Sequence, residues 1–164
     1  MPHDEPEYDR SIAPTRGETR ALVLLAEPDA ERCTTITHVL QQADYAVQSV
    51  QDPAQVAAEA GRVLPDLIIA RVDDPLVDGF SVCRALRGVP ETRDIPLLIL
   101  TRLDDMYARE QIVRAGATAI LIEPLRRTLL VRQVRRLLAR GARMAHSRST
   151  SWSAGAFTVN RAAS

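Results

Sequence analysis

Four short apolar runs in this chain end beside a residue with chemistry to offer. "ALVLLA" (21 to 26) is followed by Glu27, "DLIIA" (66 to 70) by Arg71, "IPLLIL" (95 to 100) by Thr101, and "TAILI" (118 to 122) by Glu123. A carboxylate can help hold a hard cation, and a hydroxyl can contact an oxyanion. A guanidinium has neither a nucleophilic oxygen nor a removable proton, so Arg71 can only donate hydrogen bonds and carry charge. Asp73 shares its strand face at period two, and Asp74 adjoins it. Every basic residue of the chain is arginine, which excludes a Schiff-base lysine or a lysine grip on phosphate. Cys33 and Cys83 lie 50 positions apart with no CxxC and no histidine at ligand spacing. That argues against a disulfide framework and against zinc. His3, His38 and His146 are scattered, and His38 reads as a surface residue of a helix, not as a phosphohistidine or a metal ligand.

These residues can act together only if the elements between them bring the run ends to one place. "DAERCTTITHVLQQA" (29 to 43) puts Cys33, Ile36, Val39, Leu40 and Ala43 at helical spacing. "YAVQSV" (45 to 50) alternates as a strand, and Pro53 opens a helix expected to stop near Gly61. "FSVCRALRG" (80 to 88), "DDMYAREQIVRAG" (104 to 116, closed by Gly116) and residues 126 to 140 read as further helices. Five strands alternating with five helices imply a doubly wound parallel sheet, because parallel crossovers place helices on both faces. Ligands on such sheets bind at the carboxyl ends of strands, here 26 to 29, 71 to 74, 101 to 103 and 122 to 124. The first of these, "AEPDAER", has no glycine, so no dinucleotide or flavin-phosphate loop is present and no cofactor is expected.

At 164 residues, 46% of them apolar, the chain suits one domain over 20–142 between an acidic tail (1–19) and a Ser- and Ala-rich tail (143–164) that holds Trp152, Phe157 and Val159. No window approaches a membrane span and the N-terminus lacks the order of a secretory signal, so a cytoplasmic location is expected. Net charge is zero but polarised: residues 1 to 9 hold four acids and no arginine, and residues 125 to 164 hold nine arginines and no acid.

Arg32, "DYAV" (44 to 47), "PDLII" (65 to 69), "DP" and "DGF" (74 to 80), "IPLLILT" (95 to 101) and "GATAILIEP" (116 to 124) jointly resemble a bacterial response-regulator receiver domain. The resemblance covers about residues 20 to 142. It implies the flavodoxin-like order 2-1-3-4-5, with the first and last helices on one face and the middle three on the other. Cys33 and Cys83 would then lie on opposite faces, beyond reach of a disulfide. Receivers accept a phosphoryl group on an aspartate after the third strand. They hold magnesium with two acids after the first strand, and use a hydroxyl after the fourth and a lysine after the fifth. Aligned on these landmarks, the acceptor is Arg71, the acid pair is Ala26 and Glu27, the hydroxyl is Thr101, the lysine is Glu123 and the aromatic switch position is Ile120. The resemblance therefore implies a degenerate pocket without metal or catalysis. There Arg71 either pairs with Glu123 and Glu27 and stands in for the ion, or points into solvent at an abandoned site. Such a pair attracts by about 4 kcal/mol at 4 Å and an effective dielectric of 20, an attraction largely offset by desolvation in a dry pocket. Thr101 is also readable as a plain strand-end residue, and the Glu123-Pro124 bond is expected to be cis, as the family's Lys-Pro bond usually is.

Arg132, Arg136, Arg140 and Arg143 fall within about 80° of helical arc, with Arg135 beside them and Leu130, Val134, Leu137 and Leu138 opposite. This cationic face is the candidate partner surface. In the resembled family the last helix joins the fourth helix and fifth strand in a dimer or output surface. The expected function is a phosphorylation-independent, non-enzymatic pseudo-receiver: a signalling adaptor that binds a protein partner or a second copy of itself, with no membrane contact. The alternatives are a phosphorelay receiver with a shifted acceptor at Asp73 or Asp74, and a nucleic-acid-binding regulator using the arginine stripe. Against the last, no helix-turn-helix fits in the 22 residues after Ala142.

Overall fold

The computed structural model describes residues 20–73 and 80–142. Five parallel strands, β1 (Leu22–Ala26), β2 (Ala46–Val50), β3 (Leu67–Arg71), β4 (Leu97–Thr101) and β5 (Ala119–Ile122), form one sheet in the order β2-β1-β3-β4-β5. Between and after them run α1 (Ala30–Gln42), α2 (Val56–Val63), α3 (Phe80–Arg87), α4 (Met106–Ala115) and α5 (127–142). This is the doubly wound parallel sheet that the alternation of runs implies, in the flavodoxin-like order that the resemblance implies.

The inner strands β3 and β4 are buried at every position, which requires cover on both faces. Alternate residues feed two separate cores. Leu24, Ile68, Leu97 and Ile99 meet Val56 and Ala60 of α2, Cys83 and Leu86 of α3, and Ile112 of α4. Leu25, Leu67, Ile69 and Leu98 meet Ile36 and Leu40 of α1 and Leu130, Val134 and Leu137 of α5. Cys33 belongs to the second core and Cys83 to the first, so the sheet separates the two free thiols. No described helix is long and apolar enough to cross a membrane.

Helix starts follow their side chains. Asp29 accepts from the Arg32 N–H at 2.8 Å, and Asp105 accepts from the Ala108 N–H at 2.7 Å, each satisfying an orphan donor of a first turn. Pro53 opens a 3-10 turn (Pro53–Gln55) before α2 begins at Val56. The expected stop at Gly61 is corrected: α2 runs on to Val63, and Leu64 leaves the helix in the left-handed region at φ 48°. Pro65 supplies the reason, since a residue before proline is disfavoured in the right-handed helical region. Gly116 does end α4, at φ 118°. A Cβ there would lie 2.8 Å from Cγ of Arg87, so both the backbone angle and the neighbour disfavour a side chain. The Glu123-Pro124 bond is cis. Asp74, Arg143, Trp152, Phe157 and Val159 lie outside the described residues.

Candidate functional site

Period-two alternation decides which strand-end side chains meet. Leu25, Ile69 and Leu121 pack in the core beneath α1 and α5, so the residues two positions on, Glu27, Arg71 and Glu123, emerge on that same side. The ladder carries them to the edge: the Glu27 N–H donates to Val50 O at 3.2 Å and the Glu123 N–H to Thr101 O at 2.9 Å, just past the ends of β1 and β5.

Arg71 lies at the centre. Its Nε donates to Oε2 of Glu27 and its Nη2 to Oε1 of Glu123. The Arg71 side chain is 3% exposed, that of Glu27 0% and that of Glu123 18%. Burial alone disfavours the Arg71 cation, but the hydrogen bonds and charges of Glu123 and Glu27 outweigh it and hold its pKa above the ordinary arginine value. The third nitrogen, Nη1, is 3.8 Å from Oδ1 of Asp73, and among the described residues it has no hydrogen-bond partner.

Two further arginines complete the cluster. Oε1 of Glu27 accepts from Arg32 Nε at 3.3 Å and from the Asp29 N–H at 3.1 Å. Arg102 reaches Oδ2 of Asp73 through Nη2 at 3.3 Å and lies 4.0 Å from Oε2 of Glu123 through Nε. Arginines and carboxylates therefore alternate, from Arg32 through Glu27, Arg71 and Glu123 to Arg102 and Asp73. Arg102 follows Thr101 directly, within a strand-end stretch that the sequence marks, but its reach back to Asp73 depends on the loop path after β4.

The other candidate positions stand apart from these ion pairs. Thr101 is fully buried, and its Oγ1 accepts from the Leu103 N–H at 3.1 Å. Ala26 packs in the core beneath α2 to α4, and Ile120 lies partly buried against that core. Among the described residues no group of three or more His, Cys, Asp or Glu side chains is placed to hold a metal ion. Glu27, Asp73 and Glu123 are instead distributed around the Arg71 guanidinium. His38 is exposed on α1.

Away from the strand tips, α5 turns Leu130, Val134 and Leu137 into the core and leaves Arg132, Arg135, Arg136 and Arg140 exposed. On α4, Met106, Tyr107 and Val113 are exposed at 86%, 68% and 56%. A half-buried arginine, which sequence reasoning missed, fastens the opposite end of the sheet. Arg87 donates to Arg93 O (2.8 Å), Ile95 O (2.7 Å) and Gly116 O (3.0 Å and 2.8 Å).

With the geometry in hand, comparison with known proteins gives one answer. Response regulator PleD of Caulobacter vibrioides is 40% identical over 93 residues, covering 57% of this chain and 20% of PleD. The DNA-binding dual master transcriptional regulator RpaA of Synechocystis sp. is 34% identical over 122 residues, 74% of this chain and 51% of RpaA. The chain thus spans a fifth to a half of the length of these relatives. Among solved structures, the receiver domain of sensor histidine kinase PA1611 from Pseudomonas aeruginosa PAO1, which holds a magnesium ion in its active-site cleft, is similar with a TM-score of 0.67 and 29% identity over 74% of this chain and 99% of its own. The response regulator receiver domain profile matches residues 23–135, and the chain belongs to that family.

Proposed function

We propose that this receiver domain works without phosphorylation, as a cytoplasmic, non-enzymatic adaptor in a two-component-like pathway. Receiver domains are signalling modules that interact with other signalling proteins. The reading departs from the family's chemistry on one observation: a buried guanidinium at the end of β3, held by Glu27 and Glu123. Arg71 has no oxygen to accept a phosphoryl group. The residues also do not fit the family's magnesium ion, because a divalent cation beside Glu27 would face a fixed positive charge that already occupies that carboxylate. Asp73, the shifted acceptor of the alternative reading, is itself engaged by Arg102 and Arg71.

The working unit proposed is residues 20–142. Its partner surface is the α5 face with Arg132, Arg135, Arg136 and Arg140, extended by the exposed Met106, Tyr107 and Val113 of α4. The occupant is a signalling protein or a second copy of the chain. RpaA is named as DNA-binding, but that relative is about twice as long as the stretch matched here.

Amide spectra recorded with magnesium, and again with magnesium plus beryllofluoride or acetyl phosphate, test the reading. Unchanged resonances at Glu27, Arg71, Thr101 and Glu123, with no added phosphoryl mass on the chain, are expected. Saturable shifts at these positions, or an acid-stable and alkali-labile phosphoryl mass on Asp73 or Asp74, would overturn it.

A further inference from the structure

We infer that the groove between α1 and α5 binds a small molecule carrying a diphosphate group, such as a nucleoside diphosphate. The groove measures about 480 Å³ and is lined by Arg127, Thr128, Arg132 and Arg135 of α5 together with Gln42 of α1. That volume lies within the range of about 300–1,000 Å³ usual for small-molecule sites.

The ground is the hydrogen-bonding character of one wall, since exposed cations without an ion pair occur elsewhere: Arg93 and Arg126 are two, and neither lines this groove. A guanidinium offers donors only, whereas a side-chain amide offers an acceptor as well. The amide oxygen in this wall, Oε1 of Gln42, already accepts from Nη2 of Arg127. The amide NH2 of Gln42 therefore remains to donate, as does the exposed Thr128 hydroxyl. No acid lines the groove, and Asp44, just past α1, lies 3.9 Å from Nη2 of Arg20. What the polar side chains leave open is donors and positive charge, and an acceptor-only oxyanion answers both.

The spacing of the arginines calls for more than one anionic centre. Arg127 and Arg135 are separated by about 12 Å of helical rise, with Arg132 between them. A lone carboxylate fills one guanidinium fork, whereas a diphosphate presents oxygens on two neighbouring centres to several. Val39, Ala43 and Val131 give the rest of the molecule an aliphatic strip. No aromatic ring lines the groove to stack on a base, so the phosphates carry the recognition. The site is distinct from the strand tips, because none of Glu27, Arg71, Thr101 and Glu123 lines it. It shares Arg132 and Arg135 with the proposed partner surface, where a bound ligand would compete with a partner, but the binding itself does not depend on that role.

Amide spectra of the full chain test the inference when pyrophosphate, ADP and orthophosphate are titrated in turn at constant ionic strength without divalent cations. Saturable shifts at Gln42, Thr128, Val131, Arg132 and Arg135 are expected, with pyrophosphate and ADP binding about tenfold more tightly than orthophosphate. Arg132→Gln and Arg135→Gln, both exposed changes outside the core, should each weaken pyrophosphate about tenfold, while Arg93→Gln and Arg126→Gln leave it unchanged. No saturable shift, pyrophosphate no tighter than orthophosphate, or equal weakening by Arg93→Gln would mean general screening and overturn the inference. Tighter saturation by a short DNA duplex, with shifts running on to Arg136 and Arg140, would make the face a nucleic-acid surface and overturn it too. Neither a partner nor phosphorylation is read, so failure here is distinguishable from failure of the adaptor reading.

Discussion

Arg71 and Glu27 stand 44 positions apart in the sequence and meet, Nε to Oε2, beneath the tips of β3 and β1, with both side chains almost sealed from water. Removing one member of such a pair strands the other's charge in a medium that solvates it poorly. Glu27→Gln is expected to lower the unfolding free energy by about 3–5 kcal/mol. Replacing both, Glu27→Gln with Arg71→Met, should cost clearly less than the sum of the single changes, because neither charge is then left alone. Urea titration of the four proteins measures this, and single changes worth less than about 1 kcal/mol would show that the pair is effectively solvated.

Asp73 is the contrasting case within the same cluster. Its side chain is 35% exposed and its partner Arg102 is 63% exposed. Asp73→Asn should therefore cost no more than about 1 kcal/mol, and the difference should shrink as salt is raised. Parallel denaturation curves at low and high ionic strength would separate it from Glu27→Gln, whose effect should barely respond.

Gly116 and Arg87 make a second coupled pair. Gly116→Ala imposes a left-handed angle on an L side chain and drives its Cβ into Arg87 Cγ, 2.8 Å away. A loss of about 1–3 kcal/mol is expected from the backbone angle alone, with more from the displaced guanidinium. In an Arg87→Ala background the clash is gone and only the backbone cost remains, so Gly116→Ala should be milder there. Equal costs in both backgrounds would mean that the side chain yields freely.

Burial raises the Cys83 thiol above its ordinary value of 9.0, while the neighbouring Arg87 cation pulls it the other way. The folded protein thus holds this proton more tightly than the unfolded chain. The corresponding stability is fully present below about pH 9 and declines as pH rises beyond it, by up to about 1.4 kcal/mol per unit. Cys83→Ala should flatten the alkaline limb of a stability-against-pH profile relative to the parent. Parallel profiles would show that the thiolate is accommodated in the fold.

Strand order, the two helix faces and the separation of the cysteines were legible through the family resemblance, whereas period alone marked the alternation of strands and helices; alternate residues of β1, β3 and β4 feed opposite cores, and the helices close over them. The end of α2 was misread because a glycine was weighed above the proline after it. Gly61 has open space where a Cβ would stand, whereas Leu64 must leave the helix ahead of Pro65. At the site, the same alternation brings Glu27, Arg71 and Glu123 to one side of the sheet edge. Arg32 entered only as a landmark and Arg102 not at all, because a long side chain folding back from a loop leaves no periodic mark. Arg87 escaped notice for a related reason: apart from the Thr118 hydroxyl, its partners are main-chain carbonyls, to which any residue type contributes.

Around the strand tips Arg32, Arg71 and Arg102 face Glu27, Asp73 and Glu123, three cations to three anions. Six charges that cancel at such short range project almost no potential beyond a Debye length. Small ions and phosphodonors approaching this end of the domain are neither drawn in nor turned away by these side chains. On the flank, the exposed arginines of the last helix form no ion pair among the described residues, so their charge is not cancelled at short range.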